Sequence, residues 1–150
     1  MKKNANLMLT IKTTRFGELS IDEKRVVQFP EGLLGFSAQK DYVILEHTPE
    51  SPFFWLQSLT DADLAFVVID PFLVKKDYLK ELPSAEKRIF EGLEEGKVTV
   101  LALVTIRQGN ETPITMNLMG PLVIDTETRT GKQIILANPC YTCKHPVKLS

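Results

Sequence analysis

Cysteine is almost missing from this chain. Only Cys140 and Cys143 occur in 150 residues, too few for a small secreted scaffold stapled by disulfides. Histidine is as scarce, with only His47 and His145 to supply an acid–base pair or a zinc shell. No long apolar run exists: the longest, Leu64–Ile69, falls far short of the roughly 20 residues a membrane helix needs. Lys2 and Lys3 precede an apolar stretch, but Thr10 interrupts it and Lys12 ends it, well before a cleavable signal would be complete. Neither sign of charge dominates, with 18 basic and 19 acidic residues and a net charge of −1. The basic excess that neutralises phosphates is therefore lacking, which argues against direct nucleic-acid binding. The expectation is a cytoplasmic chain with no membrane association.

What is present is ordinary globular material, 43% apolar and 25% charged. The length fits one domain, and a chain of this size buries roughly two-thirds of its unfolded surface. Short β-branched and aromatic runs predict strands at Leu9–Thr13, Glu18–Ile21, Arg25–Phe29, Tyr42–His47, Phe53–Ser58, Leu64–Asp70, Lys97–Arg107, Thr115–Met119, Leu122–Thr126 and Lys132–Leu136. Strands this short and this many predict a mainly β fold, an antiparallel barrel-like domain. Leu64–Ile69 and Val98–Ile106 are continuous rather than alternating, as in central strands covered on both faces. The strongest hairpin signal joins Leu122 to Leu136, with Gly131 expected to supply a positive φ.

One segment departs from the β pattern. From Ser84 to Gly96, with Ser84 as cap and Gly96 as stop, Ile89, Phe90 and Leu93 make one stripe. A helix of about three turns near residues 84–94 is expected there. Residues 1–6 and 147–150 are expected to fray.

The balanced charge conceals a split. Residues 46–95 hold 11 acidic and 5 basic side chains, and the rest of the chain 8 acidic and 13 basic. Such runs are commonly solvated faces; functionally, they attract basic partners and repel polyanions. The electrostatic candidates are Glu46, Glu50, Asp61, Asp63, Asp77, Glu81, Glu91, Glu94 and Glu95.

Catalytic motifs are sparse. Cys140-Tyr-Thr-Cys143, followed by His145, has redox C-x-x-C spacing. A redox pair, however, normally opens a helix after a strand. A structural zinc site needs four ligands, and only the distant His47 could join these three. A thiol-redox or metal-dependent enzyme on a small β-barrel is the alternative reading. No phosphate loop, G-x-S-x-G or H-E-x-x-H occurs, and Asp61 and Asp63 read as a polar turn. No catalytic residue, cofactor or metal is expected. Phe53, Phe54 and Trp55 are consecutive, so strand alternation sends at least one ring to the outside of a barrel, where aromatic anchors suit an interface.

An ordered set of motifs carries a resemblance: Thr14-Arg-Phe-Gly-Glu18, Phe29-Pro-Glu-Gly-Leu33 with Gly35-Phe36, Phe54-Trp-Leu-Gln-Ser58, and Leu64-Ala-Phe-Val-Val-Ile-Asp-Pro-Phe72. Thr115-Met-Asn-Leu118 with Gly120-Pro121 and Ile124, Gly131-Lys-Gln-Ile-Ile-Leu136, and Tyr141 with His145-Pro146 complete it. Together they resemble the flagellar assembly factor FliW family over nearly the whole chain, as a single domain. The resemblance implies a non-enzymatic binding protein, monomeric when free. Its implied partners are flagellin, held in the cytoplasm, and the dimeric RNA-binding repressor CsrA, whose block on flagellin mRNA it relieves. The two partners are expected to compete. Phe54, Asp70, Phe72, Asn117, Tyr141 and His145 match the pattern and are the partner-binding candidates. Tyr141 and His145, near a chain end between prolines, are expected to be the most exposed of the six. The family pattern does not rely on the two cysteines.

Overall fold

β-Branched and aromatic runs suit a pleated, half-buried surface, and they fold accordingly. The computed structural model describes residues 7–109 and 113–148; residues 1–6 and 149–150, within the segments expected to fray, lie outside them. The strands are β1 (Met8–Thr13), β2 (Gly17–Asp22), β3 (Val26–Gln28), β4 (Asp41–Glu46), β5 (Phe53–Ser58) and β6 (Ala65–Ile69). They continue with β7 (Val98–Ile106), β8 (Ile114–Met116), β9 (Leu122–Asp125), β10 (Thr130–Gln133) and β11 (His145–Pro146).

Strands β3, β4, β5, β6, β7, β9 and β10 pair in a ring, the expected barrel, closed with seven strands. Every pairing but one is antiparallel. At the seam, β10 meets β3 in parallel through the single pair Thr130–Gln28. Closure depends on the length of β7. On one edge its first half, Val98–Leu101, pairs with β9 and its second half, Val104–Ile106, with β8. The other edge pairs with β6. β8 and β11 thus form a flap outside the ring, while β1 and β2 form a separate hairpin.

Alternation sorts the apolar residues into three layers. Val27, Phe29, Tyr42, Leu56, Val68, Leu101, Leu122 and Ile124 fill the lumen. An outer layer on the opposite face gathers Ile69, Tyr78, Leu82, Phe90, Val100, Ala102, Met116, Leu118 and Tyr141. Ile11 and Ile21 of the hairpin cover Val43 on the barrel wall. Adjacent Val68 and Ile69, both fully buried, belong to lumen and outer layer respectively, which explains why β6 reads as a continuous apolar run. The aromatic triplet divides likewise: Phe54 packs toward the lumen and Phe53 toward the outer layer.

Several expected details are corrected. The helix is shorter than 84–94: one α-turn, α1 (Ser84–Lys87), continues as a 3-10 turn through Phe90. Pro83, not Ser84, stands at the N-cap, without a side-chain hydrogen bond. The helix stops early because Gly92, at φ 91°, turns the chain so that its carbonyl accepts the N–H of Lys97 at 2.8 Å. Gly131 does not supply the positive φ of the β9–β10 loop; Arg129 does, at φ 59°. Gly131 is needed instead because an added Cβ would lie 2.5 Å from the Phe29 ring. The strand expected at Lys132–Leu136 begins two residues earlier and ends at Gln133. Beyond it, Ile134 and Leu136 donate to the carbonyls of Pro121 and Met119. Val147, at the start of the expected fray, donates to the Ile114 carbonyl at 3.0 Å and packs on the outer layer.

Candidate functional site

Five of the six sequence candidates lie in or beside the outer layer, and two of them, Phe72 and Tyr141, pack on Tyr78. Asp70 opens the segment. Its carboxylate accepts the Phe72 N–H at 2.9 Å and caps the 3-10 turn Pro71–Leu73, in which proline fixes the first φ. The Phe72 ring then packs on Tyr78 at 5.7 Å, and Tyr78 meets Tyr141 edge-on at 5.0 Å. Both tyrosine hydroxyls are used. Tyr78 donates to the Leu118 carbonyl at 2.6 Å, and Tyr141 accepts the Leu79 N–H at 2.9 Å. Burial, then the neighbouring Tyr141, raises the Tyr78 pKa above the ordinary phenol value.

Tyr141 therefore corrects an expectation. Predicted to be exposed, it is only 5% accessible, because its ring and hydroxyl clamp the 71–96 segment to the barrel. His145 is half-buried in β11, paired with Met116. Its burial, and then Lys75, hold its pKa below the ordinary imidazole value. The Asn117 carbonyl oxygen accepts from the N–H groups of Met119 and Gly120 at 3.0 and 2.9 Å; it shapes the turn after β8. Asp70 and Asn117 thus hold backbone, and Phe72 and His145 keep part of their surface open.

Phe54 lies apart from this group. It lines a small apolar cleft of about 130 Å³ with His47, Phe53, Trp55, Val67 and Ile106. Trp55 is braced there by the hairpin: the Arg15 guanidinium lies 4.6 Å above its ring and Phe16 meets it edge-on at 6.0 Å. Sequence reasoning missed Arg15, Phe16 and Tyr78 as site-building residues. The Thr14–Glu18 motif was the available signal for the first two.

The acidic candidates do not form one patch. Antiparallel pairing puts the β4–β5 turn with Glu46 and Glu50 and the β5–β6 turn with Asp61 and Asp63 at opposite ends of β5. Six strand residues span about 20 Å. Asp61 and Asp63 make the expected polar turn, where the Asp61 carboxylate accepts the Asp63 N–H at 3.0 Å. Asp77 pairs with Lys75 at 3.2 Å, and that contact lowers its pKa. Glu81, Glu91, Glu94 and Glu95 are exposed on the outer segment.

Cys140 and Cys143 are free and exposed. They lie in consecutive turns rather than at the start of a helix, a setting without the helix N-terminus that activates a redox thiol. Among the described residues, no group of three His, Cys, Asp or Glu side chains is placed to hold a metal ion.

Fold and site define a class: a closed seven-strand barrel sheathed on one side by a turn-rich aromatic layer that two tyrosines pin in place. The same architecture occurs in a crystal structure of the flagellar assembly factor FliW, with a TM-score of 0.75 and 34% identity over 93% of this chain and 96% of that one. Flagellar assembly factor FliW of Natranaerobius thermophilus is 39% identical over 139 residues, covering 93% of this chain and 92% of its own length. The Leptospira interrogans protein of the same name is 39% identical over 140 residues, covering 93% of each. The FliW protein family matches residues 10–147. This chain belongs to the FliW family.

Proposed function

We propose that the chain is a flagellar assembly factor that works by binding other proteins and catalyses no reaction. It holds flagellin in the cytoplasm, and it binds the RNA-binding repressor CsrA so that flagellin mRNA is released for translation. One observation carries this reading: the correspondence with flagellar assembly factors runs through residues 10–147 and covers nine-tenths or more of both this chain and the Natranaerobius thermophilus relative. The geometry is compatible with binding rather than catalysis. Among the six candidate residues, Asp70, Asn117 and Tyr141 spend their polar groups on backbone, which stiffens a surface rather than preparing a proton transfer.

The test uses the purified full chain, flagellin, the regulator and a flagellin-leader RNA. Titration calorimetry should give a complex with each protein, competition between them, and release of RNA from the regulator. Absence of binding to both proteins would overturn the reading.

A further inference from the structure

Three loops far apart in sequence meet beside the barrel seam, and one side chain ties them. The Gln133 carbonyl oxygen accepts the Leu34 N–H at 2.9 Å, and its amide nitrogen donates to the Gly120 carbonyl at 3.0 Å. A Cβ at Gly120 would lie 3.0 Å from the Gln133 amide nitrogen and 3.1 Å from that of Asn117, so both side chains lie close against this backbone. The knot is hydrogen-bonded and tight, yet it holds large apolar side chains out into solvent. Leu34 is 65% exposed, Ile135 53%, Phe36 41% and Met119 37%. Alternation puts Ile135 on the same face as Gln133, while Ile134 and Leu136 point to the core.

The loops are also uncharged. Residues 32–38, 115–121 and 133–139 contain no ionisable side chain, in a chain that is 25% charged overall. Only Glu31 and Lys132, of opposite sign, flank them. Such a face loses little on desolvation and offers nothing that attracts a basic partner. Its size also limits the occupant. Four side chains expose at most a few hundred Å², the scale of the roughly 300–600 Å² of the largest patch on a monomer and short of the ~800 Å² that each partner buries in a standard interface. A short apolar segment fits this area better than a second copy of the chain.

We infer that the Leu34–Met119–Ile135 face takes the uncharged, apolar face of a flagellin segment, and that it contributes little to binding the RNA-binding regulator. This rests on the function proposed above. The regulator grips phosphate and is therefore drawn to the acidic turns, none of which belongs to these loops. The uncharged face is left for the other partner.

The test compares the wild-type chain with the Leu34→Ser, Ile135→Ser double variant. Both positions are exposed, so the variant should keep the wild-type melting temperature to within a few degrees. The expected result is at least a tenfold loss of flagellin affinity, with regulator affinity within twofold of wild type. In the wild-type complex with flagellin, amide exchange should slow at residues 33–36, 118–120 and 134–136. The conservative Leu34→Met, Ile135→Val pair should retain both affinities. Unchanged flagellin affinity in the folded double variant, or equal loss of both partners, overturns the assignment and leaves the proposed function standing. A wild-type dimer that the double variant abolishes would give the face to a second copy and overturn it as well. Failure of the wild type to bind flagellin would remove that part of the proposed function and this assignment together.

Discussion

The hydroxyl of Tyr141 accepts the main-chain N–H of Leu79 at 2.9 Å, and Leu79 is held at φ 74°. A branched side chain at positive φ is strained, and both residues are buried. The hydroxyl thus satisfies a buried donor on a strained residue 62 positions away. Tyr141→Phe keeps the ring and leaves that N–H unpaired, which should cost about 1–3 kcal/mol. Thermal denaturation should show a drop of about 2–4 °C per kcal/mol in a domain of this size. An unchanged melting temperature would show that the hydroxyl is dispensable to the clamp.

Gly131 offers a second stability test. The Phe29 ring leaves no space for a side chain there, and inserting a carbon into a packed core typically costs about 1–3 kcal/mol. Gly131→Ala should lower the urea midpoint, and Phe29→Leu in the same chain should restore part of the loss by giving the methyl room.

The two thiols should be inert toward the function. Both are exposed, and neither opens a helix. The Cys140→Ser, Cys143→Ser double variant should keep its melting temperature and both partner affinities. Lost affinity in the folded variant would return the C-Y-T-C turn to consideration as a site.

Stability should fall at both ends of the pH scale, for separable reasons. Burial, and then Asp61, push the Tyr42 pKa up to about 12, so the folded state keeps a proton that the unfolded chain releases near 10. That contribution is complete below about pH 10 and is lost as pH rises toward 12. The lowered pKa of His145 acts in the opposite sense. The unfolded chain takes up its proton first, so stability is retained above about pH 6.5 and declines as pH falls through the folded value. Charges facing His145 include Lys75. His145→Gln should flatten the acid side of the profile and leave the alkaline side unchanged, as read from denaturation midpoints across pH.

The acidic turns make the last prediction. Two unit charges about 10 Å apart in water interact by roughly 0.4 kcal/mol, and by more where the local dielectric falls. Several carboxylates brought beside an RNA-binding surface would together reach the ~1.4 kcal/mol that corresponds to tenfold in affinity. Because the β4–β5 and β5–β6 turns lie at opposite ends of β5, only one of them can face that surface closely. Neutralising Glu46 and Glu50, or Asp61 and Asp63, as separate pairs should therefore impair RNA displacement unequally at low salt. The difference should vanish near 1 M salt, where the screening length is about 3 Å. If both variants still bind the regulator and displace RNA as well as the wild type does at low salt, repulsion by these turns is excluded and simple overlap is favoured.

The barrel was legible in the sequence because its strands are short, β-branched and separated by turn residues. The outer layer was legible only in pieces. Tyr141 looked exposed because prolines and a chain end surround it, and nothing local announces that Leu79, far upstream, needs its hydroxyl. The helix was overestimated because the Ile89–Leu93 stripe continues past the point where Gly92 turns the backbone. Gly131 was placed correctly as a constraint and for the wrong reason, since the obstacle is a ring about a hundred residues earlier in the chain. Asp70 and Asn117 were legible as residues that matter; their actual work is local hydrogen bonding, which motifs alone do not separate from partner contact.

The seam has a consequence for synthesis. The ring is sealed where Thr130 meets Gln28, so a nascent chain emerging from the ribosome cannot complete its barrel until residue 130 is free of the exit tunnel. Until then Val27 and Phe29, fully buried in the finished fold, have no strand on that side. Pairing across such a sequence separation is slow compared with local hairpins, so β1–β2 and β4–β5–β6 should form while translation continues and the last wall should arrive late. In that interval the open lumen resembles an unprotected apolar surface, the state in which a barrel protein aggregates. A ribosome stalled with residue 120 just emerged should yield a protease-sensitive chain, and one stalled with residue 145 emerged a resistant one.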